Sequence, residues 1–126
     1  MASNRPAHRG KIMVWRDAQG KDQVTFQVTG TLFMEGRVWV SHCPALDLST
    51  CGRTREEAMA NTREAIQLFF EECLRRGTLE AALRELHWNL TRFEPRLALQ
   101  TTAQPAIMID QTRDDGWRGQ VQLTAA

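Results

Sequence analysis

Hydrophobic and polar residues alternate along residues 23–34, which predicts a β-strand with one buried face. The apolar positions of this segment are Val24, Phe26, Val28, Leu32 and Met34. Threonine and glutamine fill most of the positions between them, and a repeat of two residues is that of an extended strand. A shorter apolar segment upstream, Ile12 to Trp15, is predicted to add an edge strand.

Two more strands are predicted before the first helix. Glu35-Gly36 forms a short turn, and residues 37–42 are rich in β-branched and aromatic side chains, so an antiparallel hairpin is expected. Pro44 has no backbone donor and interrupts this second strand. Residues 46–50 alternate again before Gly52, which predicts a third short strand.

The next segment has the pattern of a long amphipathic helix. Thr54 and Glu57 have the spacing of a capping box, and Arg75-Arg76 followed by Gly77 is typical of a helix end. Apolar and small residues recur at spacings of three and four and form one stripe: Ala58, Thr62, Ala65, Ile66, Phe69, Phe70 and Cys73. This helix is expected to pack across the sheet.

A second, shorter helix is predicted from Thr78 as its N-cap. Its apolar residues lie on one face: Leu79, Ala82, Leu83 and Leu86.

Beyond Trp88 the pattern is weaker. Residues 90–93 and 97–99 are candidate strands, and Asp115-Gly116 is a candidate turn between strands at 107–109 and 121–123.

These elements predict an α+β fold with a three- to four-stranded antiparallel sheet, one long helix packed on it and a second short helix. At 126 residues the chain has room for one ordinary domain. Residues 1–22 are interpreted as a flexible arm with an edge strand, and residues 23–88 as the α+β domain. Residues 89–126 are interpreted as a C-terminal extension that forms either strands or an oligomerisation arm.

Composition narrows the classes of function. The net charge of +1 provides no overall attraction to a polyanion, and no helix pair follows residue 90 to read DNA, so DNA binding is not expected. No apolar run is long enough to cross a bilayer, and the first residues have no apolar segment of the kind found in secretion signals. A cytoplasmic protein without a membrane partner is expected.

The residues capable of chemistry do not form a recognisable catalytic set. Glu35 and Asp47 are the only carboxylates on the first three strands, whereas a two-metal nuclease needs several that converge. Asp47 is expected to face solvent or stabilise a turn. His42 and Cys43 are adjacent on a strand and should point to opposite faces, so they are not expected to act as a nucleophile and its base. No catalytic residue and no enzyme activity are predicted.

The three cysteines, Cys43, Cys51 and Cys73, lack C-x-x-C spacing, and reduced, mostly buried thiols are the simplest interpretation. A metal site that joins Cys43 and Cys51 to His87 or His8 stays open as an alternative. No metal and no cofactor are predicted. The tryptophans Trp39, Trp88 and Trp117 are either anchors for a partner or part of the core.

Several of these segments together resemble the HicB antitoxin family. The resemblance covers roughly residues 23–88, about half the chain, and depends on Cys43-Pro44-Ala45-Leu46, Gly52, the helix opening at 54–58, and Asn61 followed by Ala65-Ile66. It implies a partial ribonuclease-H-like fold. It also implies inhibition by occlusion, since HicB antitoxins cover a small ribonuclease toxin of the HicA type. Many members add a DNA-binding ribbon-helix-helix or helix-turn-helix, which this sequence does not show.

The leading hypothesis is therefore an antitoxin-type binding module that neutralises a small ribonuclease toxin by protein–protein contact and forms a homodimer or higher homo-oligomer. The sheet edge and the hairpin strands are expected to dock the toxin, with Val38, Trp39, Val40 and His42 as partner-binding residues. The alternative is a stand-alone oligomeric domain without a toxin partner, with a structural or ligand-binding role. A metal-dependent nuclease is disfavoured by the missing carboxylates.

Overall fold

A computed structural model of the chain describes residues 10–90, 105–113 and 115–124. These residues form six strands, two α-helices and one short 3-10 helix, and the predicted α+β class is confirmed. In chain order the elements are β1 (Lys11–Arg16), β2 (Asp22–Glu35), β3 (Val38–Cys43), the 3-10 helix (Pro44–Leu46), β4 (Leu48–Gly52), α1 (Arg55–Arg76), α2 (Leu79–Glu85), β5 (Ala106–Arg113) and β6 (Gly116–Thr124).

All the described strands belong to one antiparallel sheet in the order β4-β3-β2-β6-β5, with β1 also paired to β2. The 14-residue β2 is central because it pairs along both edges. Along one edge it pairs with β1 and then with β3, and along the other edge it pairs with β6 from Gln23 to Thr31. The sheet has six described strands, more than the three or four expected, because the C-terminal hairpin lies directly beside β2.

The third predicted strand starts later than the alternation suggested. Pro44 to Leu46 form a 3-10 helix, and Asp47 ends it in the left-handed region at φ 54°. Strand β4 therefore begins at Leu48 rather than Leu46. Asp47 is exposed in this turn, as predicted.

Helix α1 begins and ends where the sequence predicted. The Thr54 hydroxyl accepts from the Glu57 amide at 3.0 Å, and the Glu57 carboxylate accepts from the Arg53 amide at 2.6 Å. At the other end Gly77 adopts a φ of 67°, and its amide donates to the carbonyls of Cys73 and Leu74. The predicted stripe faces the sheet, and its buried members are Ala58, Thr62, Ile66, Phe70 and Cys73.

The core lies between α1, α2 and one face of the sheet, which we call the inner face. Phe26 of β2 packs against Phe70 of α1 with ring centroids 5.0 Å apart, and Trp88 meets the Phe26 ring edge-on at 5.9 Å. The Trp88 indole donates to the Ala45 carbonyl at 2.7 Å. Trp88 and Trp117 are both buried, so these two tryptophans are core residues and not surface anchors.

Helix α1 packs against β4 and β5, which are the two end strands of the main sheet path. Its side chains bond to the backbone of both strands. The Asn61 amide donates to the Cys51 carbonyl on β4 at 2.8 Å, and the Arg63 guanidinium donates to the Ile107 carbonyl on β5 at 3.0 Å. Helix α1 therefore ties the two end strands of the sheet to each other.

The predictions for the two ends of the chain are described only in part. Residues 1–9 of the predicted arm lie outside the described residues, as do 91–93 and 97–99 of the two candidate strands. The expected edge strand near Ile12 forms as β1, and the expected C-terminal hairpin forms as β5 and β6. Among the described helices none has the length and apolar character needed to cross a membrane.

Candidate functional site

The sheet face opposite α1, which we call the outer face, is not covered by any described element. Directly paired residues of antiparallel strands project to the same side, so the register defines this face. On the β2–β3 hairpin it carries the pairs Phe33–Val40, Glu35–Val38 and Thr31–His42. On β4 it carries Ser49 and Cys51, which pair with His42 and Val40.

On the hairpin this face carries three apolar residues and a histidine, Phe33, Val38, Val40 and His42, which we call the hairpin patch. Phe33 is 43% exposed and Val38 is 38% exposed, whereas Val40 and His42 are half-buried. The His42 ring is held by a 2.9 Å contact between its Nδ1 and the Ser49 hydroxyl. Exposed apolar side chains with a polar border are typical of a surface that binds another protein.

The structure brings together three of the four predicted partner-binding residues. Val38, Val40 and His42 share the outer face, but Trp39 projects to the inner side, where it pairs with Met34 and Gly52. The Arg55 guanidinium lies 4.8 Å from the centroid of the Trp39 ring. Trp39 therefore supports the start of α1 and is not part of the patch, because successive residues of a strand point to opposite faces.

The aromatic residue of the patch is Phe33, and not Trp39 as predicted. A signal for it exists in the sequence. Leu32-Phe33-Met34 is a run of three apolar residues at the end of an otherwise alternating strand, so one of them has to project away from the core. Leu32 is the buried member of this run, and its neighbour Phe33 is exposed on the outer face.

The cysteines have different environments. Cys43 is buried on the inner face, and burial raises the pKa of its thiol to about 11, although hydrogen bonds from backbone amides of Leu46 and Ala45 offset part of that rise. Burial also raises the pKa of the Cys73 thiol. Cys51 is exposed and shares the outer face with Val40.

The positions of the cysteines argue against the metal site that the sequence left open between Cys43 and Cys51. The two thiols lie on opposite faces of the sheet, so they cannot ligate one ion together. His87 is exposed after α2, and His8 lies outside the described residues. In the part of the chain that the structure describes, no group of three or more histidine, cysteine or acidic side chains is placed to hold a metal ion.

The adjacent His42 and Cys43 point to opposite faces, as predicted, with His42 bound to Ser49 and Cys43 in the core. The two carboxylates Glu35 and Asp47 lie at opposite ends of β3, because Glu35 pairs with its first residue and Asp47 follows the 3-10 helix at its far end. These carboxylates therefore do not converge on a common point.

A cleft of about 500 Å3 lies next to the hairpin patch. Thr29, Thr31, Gly116 and Arg118 contribute to it from the outer face. Because Gly116 has no side chain, the sheet surface is indented at this point. Its lining is mixed, because Arg118, Asp115 and threonine hydroxyls lie beside the apolar residues Pro44 and Trp117.

Comparison of the chain with models of protein families, with curated proteins and with solved structures returned no significant match.

Proposed function

We propose that this chain is a protein-binding module of the HicB antitoxin type, which inhibits a small ribonuclease toxin of the HicA type by covering it. The observation that carries the proposal is the hairpin patch, where Phe33, Val38 and Val40 lie together on an open sheet face. Removal of such side chains from water favours association, and they lie on strands whose positions the core supports.

Three of the residues that carry the family resemblance, Gly52, Thr54 and Asn61, support the proposal because they build the junction between β4 and α1. Gly52 is required by the close approach of the helix, since an added Cβ would lie 2.6 Å from the Ala58 nitrogen. Thr54 caps the helix, and Asn61 bonds the helix to the Cys51 carbonyl. The motif therefore positions α1 under the sheet and leaves the outer face for a partner.

The geometry favours docking on the outer face rather than a deep pocket. The patch lies on two neighbouring strands, and its border is polar, with Thr31, Ser49 and Glu35 around the apolar centre. A partner that covers the patch would also reach the cleft beside Arg118, which can receive a polar side chain. Occlusion requires a stable stoichiometric complex, and an apolar centre with a polar rim suits one.

The first test is co-expression of the chain with the adjacent open reading frame, tandem purification and mass determination. A stoichiometric complex with a small ribonuclease, and loss of that ribonuclease activity within the complex, is the expected result. A chain that purifies alone, with an active neighbour, contradicts the antitoxin role.

The second test locates the interface. The change Phe33→Ser, alone or with Val38→Ser, removes apolar area from the patch, and we expect the partner to dissociate at least about tenfold more readily, equivalent to about 1.4 kcal/mol. Leu68→Ser is the matched control, because Leu68 is an exposed apolar residue on α1. Equal effects of the patch and control variants would place the interface elsewhere.

The cleft supports a second candidate function, a stand-alone oligomeric domain that binds a small ligand and has no toxin partner. Its volume suits a small molecule, and Arg118 with Thr31 provides contacts for an acidic group. The Asp115 carboxylate in the same lining favours a ligand that also carries a hydrogen-bond donor. Titration with inorganic phosphate and small carboxylates, followed by NMR, tests this function. Shifts confined to cleft residues and lost in Arg118→Ala support it, and their absence contradicts it.

We include self-association in the proposed function. The described sheet has an exposed edge, which favours a homodimer or a higher homo-oligomer formed by strand pairing.

A further inference from the structure

Strand β1 differs from the end strands β4 and β5 in the hydrogen bonding of its outward-facing backbone. The end strands β4 and β5 each have a carbonyl bound by a side chain of α1, from Asn61 and from Arg63. Strand β1 pairs with β2 on one side, and among the described elements no other strand pairs with it. An edge that no described strand pairs with is a template for another strand.

The side chains of β1 are also exposed on both of its faces. Met13 and Val14 are each 40% exposed and Trp15 is 41% exposed. Register places Met13 and Trp15 on the outer face and Val14 on the inner face. Three consecutive exposed apolar residues on an edge strand are unfavourable in water unless another chain covers them.

We propose that β1 pairs antiparallel with β1 of a second copy of this chain, with Met13 opposite Met13 on the two-fold axis. This inference rests on the self-association included in the proposed function and names the interface. It does not depend on the toxin partner.

The geometry of antiparallel strands restricts the register, and the chemistry of the opposed residues selects Met13 for the axis. In a strand, the backbone N–H and C=O groups of successive residues point alternately to one edge and to the other. Two directly opposed residues must both point these groups toward each other or both away. In a symmetric β1 pair, odd-numbered residues therefore oppose odd-numbered ones, and even-numbered residues oppose even-numbered ones. Lys11 therefore cannot lie directly opposite the second copy's Arg16, which would place like charges together. With Met13 on the axis, Lys11 opposes the second copy's Trp15, and Ile12 opposes its Val14.

These pairs are chemically complementary. An ammonium group over an indole ring is a favourable cation–π pair, and the Trp15 ring is already oriented by its 3.0 Å hydrogen bond to the Thr25 hydroxyl. Ile12 opposite Val14 is a β-branched pair of the kind that stabilises neighbouring strands. Arg16 on the inner face already has Asp22 as its partner at 3.0 Å. Each pair occurs twice because of the symmetry.

The pairing has a functional consequence. A two-fold axis through Met13, perpendicular to the sheet, joins the two sheets into one and keeps both outer faces on the same side. The two hairpin patches would then face the same direction, so one dimer presents two equivalent partner sites.

The test uses the full chain with Cys51→Ser, which removes the exposed thiol, and compares Met13→Cys with Val14→Cys and Met108→Cys. Met108 is an exposed methionine on β5, so it is the matched control. Under mild oxidation Met13→Cys should cross-link to twice the chain mass of 14.4 kDa, and the other two should not. Cross-linking at Val14 instead, or a dimer that none of the three cross-links, overturns the proposal.

Light scattering across a concentration series gives an independent measurement. Val14→Lys places a charge opposite Ile12 twice per dimer, so the dimer should dissociate about tenfold more readily or be lost. A monomer at all concentrations of the parent chain overturns the proposal. Phe33→Ser should leave the dimer intact and Val14→Lys should leave the toxin contact intact, which separates failure of this inference from failure of the antitoxin role.

Discussion

The indole N–H of Trp117 donates to the hydroxyl of Ser41 over 2.9 Å, although 76 residues separate the two along the chain. This bond joins β6 to β3 across the inner face of β2. The Ser41 hydroxyl also lies 2.6 Å from the Thr62 hydroxyl of α1, which is 2.8 Å from that of Thr50 on β4. A short polar network inside the core therefore links three strands to the helix, and each buried group within it has a partner.

Gly30 is required by the close approach of Trp117. A Cβ at position 30 would lie 2.1 Å from Cε2 of the indole ring, so Gly30→Ala should displace the ring and lower the free energy of unfolding by about 1–3 kcal/mol. Urea denaturation measures the loss. Gly116→Ala is the control, since its Cβ would meet the Thr112 hydroxyl at 3.3 Å and the Gly30 carbonyl oxygen at 3.6 Å, both far longer than the contact at Gly30. Equal losses for the two variants would contradict this account of Gly30.

The C-terminal hairpin should be required for folding. Strand β6 pairs with β2 over nine residue pairs and contributes the buried residues Trp117, Val121 and Leu123. A chain that ends at residue 90 exposes one whole edge of β2, and we expect it to lose cooperative unfolding and dispersed amide signals in NMR. A folded, cooperative fragment 1–90 would show that residues 23–88 are an independent domain.

The cap of α1 should contribute measurably to stability. Thr54→Ala removes the acceptor for the Glu57 amide and should cost about 1 kcal/mol in thermal or urea unfolding. Thr78→Ala at the start of α2 is the comparison, because the Thr78 side chain makes no capping bond to the helix amides and instead contacts the Cys73 thiol, a weaker hydrogen-bond partner. A loss at position 78 as large as that at position 54 would argue against the capping explanation.

Stability should fall at high pH through Cys43. Burial raises the pKa of the folded thiol from its ordinary value of 9.0 to about 11, so the thiol ionises first in the unfolded chain. The contribution is fully present below pH 9 and is lost as the pH rises toward 11, by about 2–3 kcal/mol in all. Urea unfolding over this range measures it. Cys43→Ala should flatten most of the dependence, leaving a remainder from Cys73.

The candidate site was only partly predictable from the sequence, and the reason is the period of a strand. Val38, Trp39, Val40 and His42 on β3 were expected to act together, but alternation sends Trp39 to the opposite face from the other three. Phe33 joins the patch from the neighbouring strand because the hairpin register places it opposite Val40. Register depends on how two strands pair, so it cannot be predicted from the residues of one strand alone.

The elements that the sequence by itself determined depend on contacts within a few residues. Thr54 and Glu57 begin α1, Gly77 ends it, and the alternation of β2 sets its buried face. Only the tertiary structure decided that β6 lies beside β2, where Gln23 pairs with Thr124, and that Trp88 and Trp117 are core residues. Local patterns specify the type of an element and its apolar face. They do not specify which distant element covers that face, because many strands with the same period would fit, and the choice depends on how all the side chains pack together.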